Sequence, residues 1–177
     1  NDPGRVLSLS GACASLVDGR GAERAVRVVD PRPISLRFAE QEDSARIYEW
    51  RNAEETRRYS HGPELITQAE HQQWFQRVLA DPTRILLIAE RSDRPVGVLR
   101  YDGEGSRCMV SVYLVPGQHG RGYGARILCA GHEWLKANRP ELQSIRAEVL
   151  SDNTASAEAF LQAGYHRDGG AYLKHLN

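Results

Sequence analysis

The sequence predicts an α/β domain of the α+β kind over residues 33–177, preceded by a tail over 1–32. Three observations carry that prediction. Apolar segments at 84–90, 96–102 and 107–115 are separated only by short turns at 92–94 and 103–106, the mark of antiparallel strands. A glycine-rich stretch at 116–124 leads from the third of them into a helical pattern. Beyond it, signals for strand, helix and strand alternate to the end of the chain.

The elements follow in order. Residues 1–32 are too few to hold a core, carry turn signals at Asp18-Gly19 and Gly21-Ala22, and end at Pro31 and Pro33, which break the chain as a linker does. Residues 34–38 read as a strand, and 43–50 as a short helix with Asp43 as N-cap. Thr67 and Glu70 form a capping box at the head of a stronger helix. There His71, Trp74, Phe75, Val78 and Leu79 recur on one helical face, and Asp81-Pro82 ends it. After the three strands, residues 125–138 form a helix whose Ile127, Leu128, Gly131, Trp134 and Leu135 face the core. Residues 144–150 are a strand, 153–163 a short helix stopped at Gly164, and 165–173 one or two final strands.

Bulk properties exclude several function classes. Lys+Arg and Asp+Glu both number 23, so no net charge points to nucleic acid or an anionic membrane as partner. The three cysteines, Cys13, Cys108 and Cys129, have no CxxC spacing, which argues against a disulfide framework or a metal site. Cys108 and Cys129 have no activating neighbour in sequence and read as ordinary buried residues. No segment is apolar and long enough to span a bilayer, and no signal peptide is visible, so a cytoplasmic setting is expected. The chain begins with Asn1 and holds one methionine, Met109, which reads as a fragment, a processed product or a trimmed chain.

The stretch that carries chemistry is Gly117-Gln118-His119-Gly120-Arg121-Gly122-Tyr123-Gly124-Ala125. A glycine-rich turn at a helix start presents unpaired N–H groups and the positive end of the helix dipole, which suit a phosphate. Two other readings stay open: the glycines simply make a turn, or Gly120, Gly122 and Ala125 form a relaxed dinucleotide fingerprint.

The same segment resembles the acetyl-CoA loop of GNAT N-acetyltransferases. Asn153-x-x-Ser156 followed by Ala163-Gly164-Tyr165 is similar to that family's second motif, and the strand at 34–37 followed by Asp43 to its opening. The resemblance implies a mixed, mostly antiparallel sheet of six to seven strands flanked by helices, with a V-shaped split between the fourth and fifth strands that takes acetyl-CoA. Backbone groups of Leu114 and Val115 are then expected to hold the pantetheine and acetyl carbonyl. The stretch from His119 through Gly120, Arg121, Gly122, Tyr123 and Gly124 to Ala125 is expected to hold the pyrophosphate. Asn153, with Ser156 and Phe160 nearby, is expected at the pantetheine arm. Glu148 matches a position where some members carry the general base, and it is also the kind of residue that ends a strand in solvent. Tyr123 reads as a packed aromatic at a helix start ahead of any catalytic role. His119 departs from the usual Gln or Arg, Phe160 stands where a tyrosine acid is common, and Met109 where others place an acidic residue.

The expected partner is a small-molecule amine, with no metal, nucleic acid or membrane, in a monomer or homodimer. Trp50-Arg51-Asn52, Arg57 and Glu70-His71-x-x-Trp74-Phe75 resemble GNAT enzymes that acetylate 4-amino-sugar nucleotides in pseudaminic-acid biosynthesis. Residues 16–24 resemble the C-terminal end of the GT-B-type UDP-sugar hydrolase of that pathway. This implies a UDP-linked acceptor bound by Arg51, Arg57, His61 and His71, although His71 also suits a core position. A protein N-terminal acetyltransferase of ribosomal-protein type and a non-catalytic acetyl-CoA-binding module are the alternatives.

Overall fold

A seven-stranded sheet in the order β1-β2-β3-β4-β5-β7-β6 organises the chain. The computed structural model describes residues 32–176, so the expected tail and its hydrolase-like motif lie outside the described residues, Arg32 apart. Strand β1 is Ser35–Phe38, β2 Arg84–Arg91, β3 Arg94–Glu104, β4 Arg107–Leu114, β5 Ser144–Glu148, β6 His166–Asp168 and β7 Ala171–His175. The helices are α1 Ser44–Asn52, α2 Glu54–Arg57, α3 Gln68–Ala80, α4 Tyr123–Asn138 and α5 Thr154–Gln162. All neighbouring strands pair antiparallel except β4 and β5, which run parallel. No helix among the described residues is long and apolar enough to cross a membrane.

Alternation along the strands loads the two sheet faces with different helices. On one face, Leu99, Tyr101, Cys108, Val110, Ile145 and Ala147 pack beneath Ile127, Leu128 and Leu135 of α4 and Phe160 of α5. On the other, Leu86, Ile88 and Val98 pack against Ile47 of α1 and Phe75 and Val78 of α3. Helix α4 lies close to the sheet because two glycines allow it. A Cβ on Gly131 would sit 2.3 Å from the Tyr101 hydroxyl and 2.5 Å from Leu99, and one on Gly97 would sit 2.6 Å from Ile127. The capping box of α3 forms as the sequence predicts, Thr67 accepting from the Glu70 N–H while Glu70 accepts from that of Thr67.

Asp43 takes the N-cap position of α1 as expected, but its side chain is used elsewhere. It ends a single 3-10 turn, Gln41–Asp43, and its side chain makes no cap to α1. Instead the carboxylate, 2% exposed, takes two bonds from Arg37 at 2.6 and 2.8 Å and one from the Glu40 N–H at 2.9 Å. Arg37 also donates to Glu90 at 2.9 Å, so one guanidinium ties β1, β2 and the start of α1 together. In α3 the expected apolar face is buried at His71, Phe75 and Val78, whereas Leu79 is 41% exposed because the stripe is narrower than its spacing suggests.

Two stability measurements test this packing. Gly131→Ala pushes a methyl into Tyr101 and Leu99 and is expected to cost about 1–3 kcal/mol in chemical denaturation. The bonds from Arg37 hold the Asp43 carboxyl below the usual carboxylate range, against the opposing effect of burial. A depressed folded pKa contributes stability that is complete above the unfolded value, about 3.9, and is lost as pH falls through the folded one. Asp43→Asn is therefore expected to flatten the acid limb of the stability profile below about pH 4. It should cost about 2 kcal/mol at neutral pH, less than a fully buried pair because Arg37 keeps contact with water.

Candidate active site at the parting of two strands

The pairing of β4 with β5 covers only Arg107↔Ser144, Cys108↔Ile145 and Met109↔Arg146. Beyond it the two strands separate, each held by its other neighbour, β4 by β3 and β5 by β7. The hydrogen-bond phase of β4 follows from one contact. Val115 donates to the Val96 carbonyl at 3.0 Å, so the adjoining Gly97↔Leu114 pair is of the non-hydrogen-bonded kind. The N–H and C=O groups of Leu114, and by alternation of Val112, therefore point away from β3 toward the parting. Val115 differs from expectation: its N–H serves Val96 and its carbonyl accepts from Gln118, which closes a turn.

The chain then runs through the loop into α4. Gly117, Gly120 and Gly122 all have positive φ, at 78°, 75° and 71°, and a Cβ on any of them would meet nothing within 4 Å. The loop backbone is thus bent in a way that side chains disfavour and is left uncovered on the outside. Gly122 is the N-cap of α4 and no side chain caps the helix, so the first-turn N–H groups remain for a ligand. Helix α4 starts at Tyr123, two residues before its expected start, because Gly122 itself makes the left-handed entry.

The remaining expected residues are placed as follows. Arg121 is exposed on the loop, and Ala125 lies half-buried in the first turn of α4. Tyr123 is 4% exposed, accepts from Arg91 through its hydroxyl, and has the Arg91 and Arg126 guanidiniums over its ring, a packed position. Gly124 faces α5, where an added Cβ would come 3.2 Å from that of Ala159. His119 reaches away from the helix to Glu55 of α2, at 2.8 Å, and the same carboxylate accepts from the Gly117 N–H at 3.1 Å. That Gly117 bond is the main reason the Glu55 carboxyl is held below the usual carboxylate range. Glu55 was not visible in the sequence as a loop-holding residue, since it is one acid among many on a helix of four residues. Asn153 caps α5, accepting from the Ser156 N–H at 3.0 Å, which leaves its amide N–H group outside the cap. Phe160 is 3% exposed, with its ring against Tyr165 and Tyr172.

Glu148 ends β5 beyond the last residue paired with β4. Ile145 and Ala147 point into the core beneath α4, so Arg146 and Glu148 emerge on the opposite face. Ser111 and Tyr113 of β4 emerge on that face too, Tyr113 against the α1 and α3 cluster. Continuing two residues past Met109↔Arg146 brings Ser111 and Glu148 to matching places on either side of the parting.

Two expected acceptor residues, His71 and Arg57, serve the protein itself, and Arg51 does so in part. His71 is 2% exposed, with Nε2 at 2.9 Å from the Ser44 carbonyl oxygen and its ring against Tyr48, Trp74 and Phe75; burial lowers its pKa, so it is a neutral core histidine. Arg57 donates to the Asn52 and Pro63 carbonyls at 3.0 and 2.8 Å, which fastens the loop after α2. Arg51 donates to the Gly62 carbonyl at 2.7 Å, and Asn52 clamps Ile66 by both N–H and carbonyl. His61 is exposed in this loop. Of the cysteines, Cys108 is buried and its thiol pushed up to about 12 by burial, while Cys129 is exposed, contrary to expectation, on the outer side of α4. Among the described residues no group of three His, Cys, Asp or Glu side chains is placed to hold a metal.

The family model described as "Acetyltransferase (GNAT) domain" matches residues 34–166. The chain belongs to the GNAT acetyltransferase family. No match is found among curated proteins. Solved structures with the same fold include the aminoglycoside acetyltransferase AAC(6')-Ib, in complex with ribostamycin and coenzyme A. It is 24% identical with a TM-score of 0.71, over 81% of this chain and 93% of that one. Spermidine N-acetyltransferase from Vibrio cholerae, in complex with CoA and spermine, is 14% identical with a TM-score of 0.69, over 80% and 92% of the two chains. A ribosomal-protein alpha-N-acetyltransferase in complex with coenzyme A is also 14% identical, with a TM-score of 0.68 over 83% and 96%. At these identities the likeness speaks for the GNAT fold, and the parting of β4 and β5 is the feature of this chain that the expected split describes.

The loop geometry sets a test on cofactor affinity. Gly122→Ala adds only left-handed strain, about 1 kcal/mol, and should weaken coenzyme A about fivefold in calorimetry. Gly122→Asp adds a negative charge at the helix N-terminus and is expected to abolish binding; unchanged affinity in both variants would remove the pyrophosphate from this loop.

Proposed function

We propose that the chain transfers the acetyl group of acetyl-CoA to a primary amine by direct attack within a ternary complex. The observation that carries this reading is the parting of β4 from β5 directly beside the uncapped start of α4. Bound acetyl-CoA supplies an acyl group already activated as a thioester. The chain's own groups fit it: loop and first-turn N–H groups from Gly120 to Gly124 suit the pyrophosphate, and the Asn153 amide N–H the pantetheine arm. The Leu114 N–H, turned toward the parting, suits the oxygen that gains charge as the amine adds.

The acceptor amine approaches from the face that carries Ser111, Tyr113 and Glu148. An amine is mostly protonated at neutral pH and must lose a proton to attack. Glu148 is the carboxylate on that face beside the parting, and it is assigned the general-base role, directly or through a water. Phe160 is apolar and buried, so that position donates no proton to the thiolate. A thiol of pKa about 8.5 leaves without full protonation, and the reaction tolerates the loss.

For the acceptor itself, the sequence favours a UDP-linked 4-amino-dideoxy sugar. Arg57 and His71 no longer support that reading, because one fastens a loop and the other lies in the core. Arg51 still does. The deciding experiment is release of coenzyme A from acetyl-CoA with UDP-4-amino sugars, peptides and polyamines as acceptors; turnover of peptide N-termini alone would promote a protein acetyltransferase. Glu148→Gln is expected to lower kcat about 10²-fold while leaving coenzyme A affinity unchanged. Near-normal kcat across the pH range would show that the proton leaves by another route.

A further inference from the structure

Arg51 is an incompletely satisfied cation on the acceptor side of the sheet. One of its terminal nitrogens donates to Gly62, while the other, Nη1, is buried and has no hydrogen-bond partner among the described residues. No ion pair neutralises Arg51 among the described residues. Its pKa is lowered, first by burial and then by repulsion from Arg57 and Arg100, with only Tyr113 and the exposed Glu64 acting the other way. Removing a charge from water without a partner is costly, and the fold does not supply the partner.

Two neighbours complete the arrangement. Arg100 of β3 pairs with Ser111, and Tyr113 of β4 with Val98, so both project from the face that carries α1 and α3. Arg100 shares its charge with Asp102 at 2.9 Å and lies 5.8 Å over the Trp74 ring, which fixes its direction. Burial raises the pKa of the Tyr113 hydroxyl while Arg51 and Arg100 pull it down, so the phenol stays protonated and adjacent to both. Tyr113 immediately precedes Leu114, whose N–H faces the parting. Donors from three elements thus lie on the face beside the acyl site, and one of them, Arg51 Nη1, has no acceptor among the described residues.

We propose that Arg51, Arg100 and Tyr113 form an oxyanion site that holds a phosphate or carboxylate carried by the acceptor. The proposal rests on the acceptor side assigned above and narrows the substrate class to amines that bear an anionic group. Arg51 Nη1 and the Tyr113 hydroxyl donate directly, a guanidinium being suited to phosphate and carboxylate alike. The cationic surroundings of Arg51, Arg57 and Arg100 also disfavour a polycation.

The test is calorimetric titration of the full chain saturated with coenzyme A, so that the pyrophosphate loop is already filled. The probes are inorganic pyrophosphate, succinate and spermine. Binding of pyrophosphate, succinate or both is expected, with at least about tenfold weakening in Arg51→Gln and in Tyr113→Phe and coenzyme A affinity unchanged. Pyrophosphate alone identifies a phosphorylated acceptor, and succinate alone a carboxylate. Tyr113→Phe leaves the Arg51 bond to Gly62 intact, so the loop fold does not decide the result. Absence of heat with both anions, equal affinity in the two variants, or preferential binding of spermine would overturn the site. Failure of coenzyme A itself to bind would instead strike at the acetyltransfer reading.

Discussion

Everything at the candidate site depends on two parallel strands that pair for three residues and then part. A sheet normally satisfies its backbone groups internally, and unpaired ones away from water are expensive. Here β4 and β5 each keep a full partner on the other side, so the sheet survives the interruption. The consequence is that Val112 and Leu114 carry backbone groups that the fold itself leaves for something else. An extended ligand with amide groups, such as a pantetheine arm, matches that need as a further strand would.

The parting also joins two faces that otherwise have separate tasks. Beneath α4 and α5 the core is apolar and tightly packed, and Gly97 and Gly131 exist there because helix and sheet come too close for a side chain. This face fixes the helix whose start no side chain caps. The face of α1 and α3 instead carries polar and charged groups: Arg51, Arg100, Tyr113 and Glu148 all emerge there. Glu55 links the two tasks, since it stands on α2 and holds the loop through Gly117 and His119. Helix α2 and the glycine loop are therefore tied together by one exposed carboxylate.

Most of the fold was legible because its signals are local. The strands at 84–90, 96–102 and 107–115, the capping box at Thr67 and the apolar face of α4 each state their structure within a dozen residues. The glycine loop was legible for the same reason, as positive φ is written directly into Gly117, Gly120 and Gly122. What was not legible needed the tertiary structure. Asp43 has the composition of an N-cap, yet Arg37 is placed to claim it. Arg57 has the charge for a phosphate, yet the carbonyls of Asn52 and Pro63 reach it first. His71 recurs on an apolar stripe, and only burial distinguishes a core histidine from a ligand-binding one. A side chain's chemistry announces what it can bind, and the fold decides what gets there.

The contrast between Arg37 and Arg51 carries this further. Both are partly buried arginines, and both enter the same face of the molecule near α1. Arg37 meets Asp43 and Glu90, every bond charge-assisted, and its guanidinium is held above its ordinary pKa. Arg51 meets a single carbonyl and is pushed below its ordinary pKa. A guanidinium placed only for stability has reason to resemble Arg37, because a well-placed acid offsets part of the desolvation cost. Arg51 lacks that match within the described residues while standing next to Tyr113 and the strand end that faces the parting. The imbalance is local to the acceptor side, which is where a bound anion would restore it.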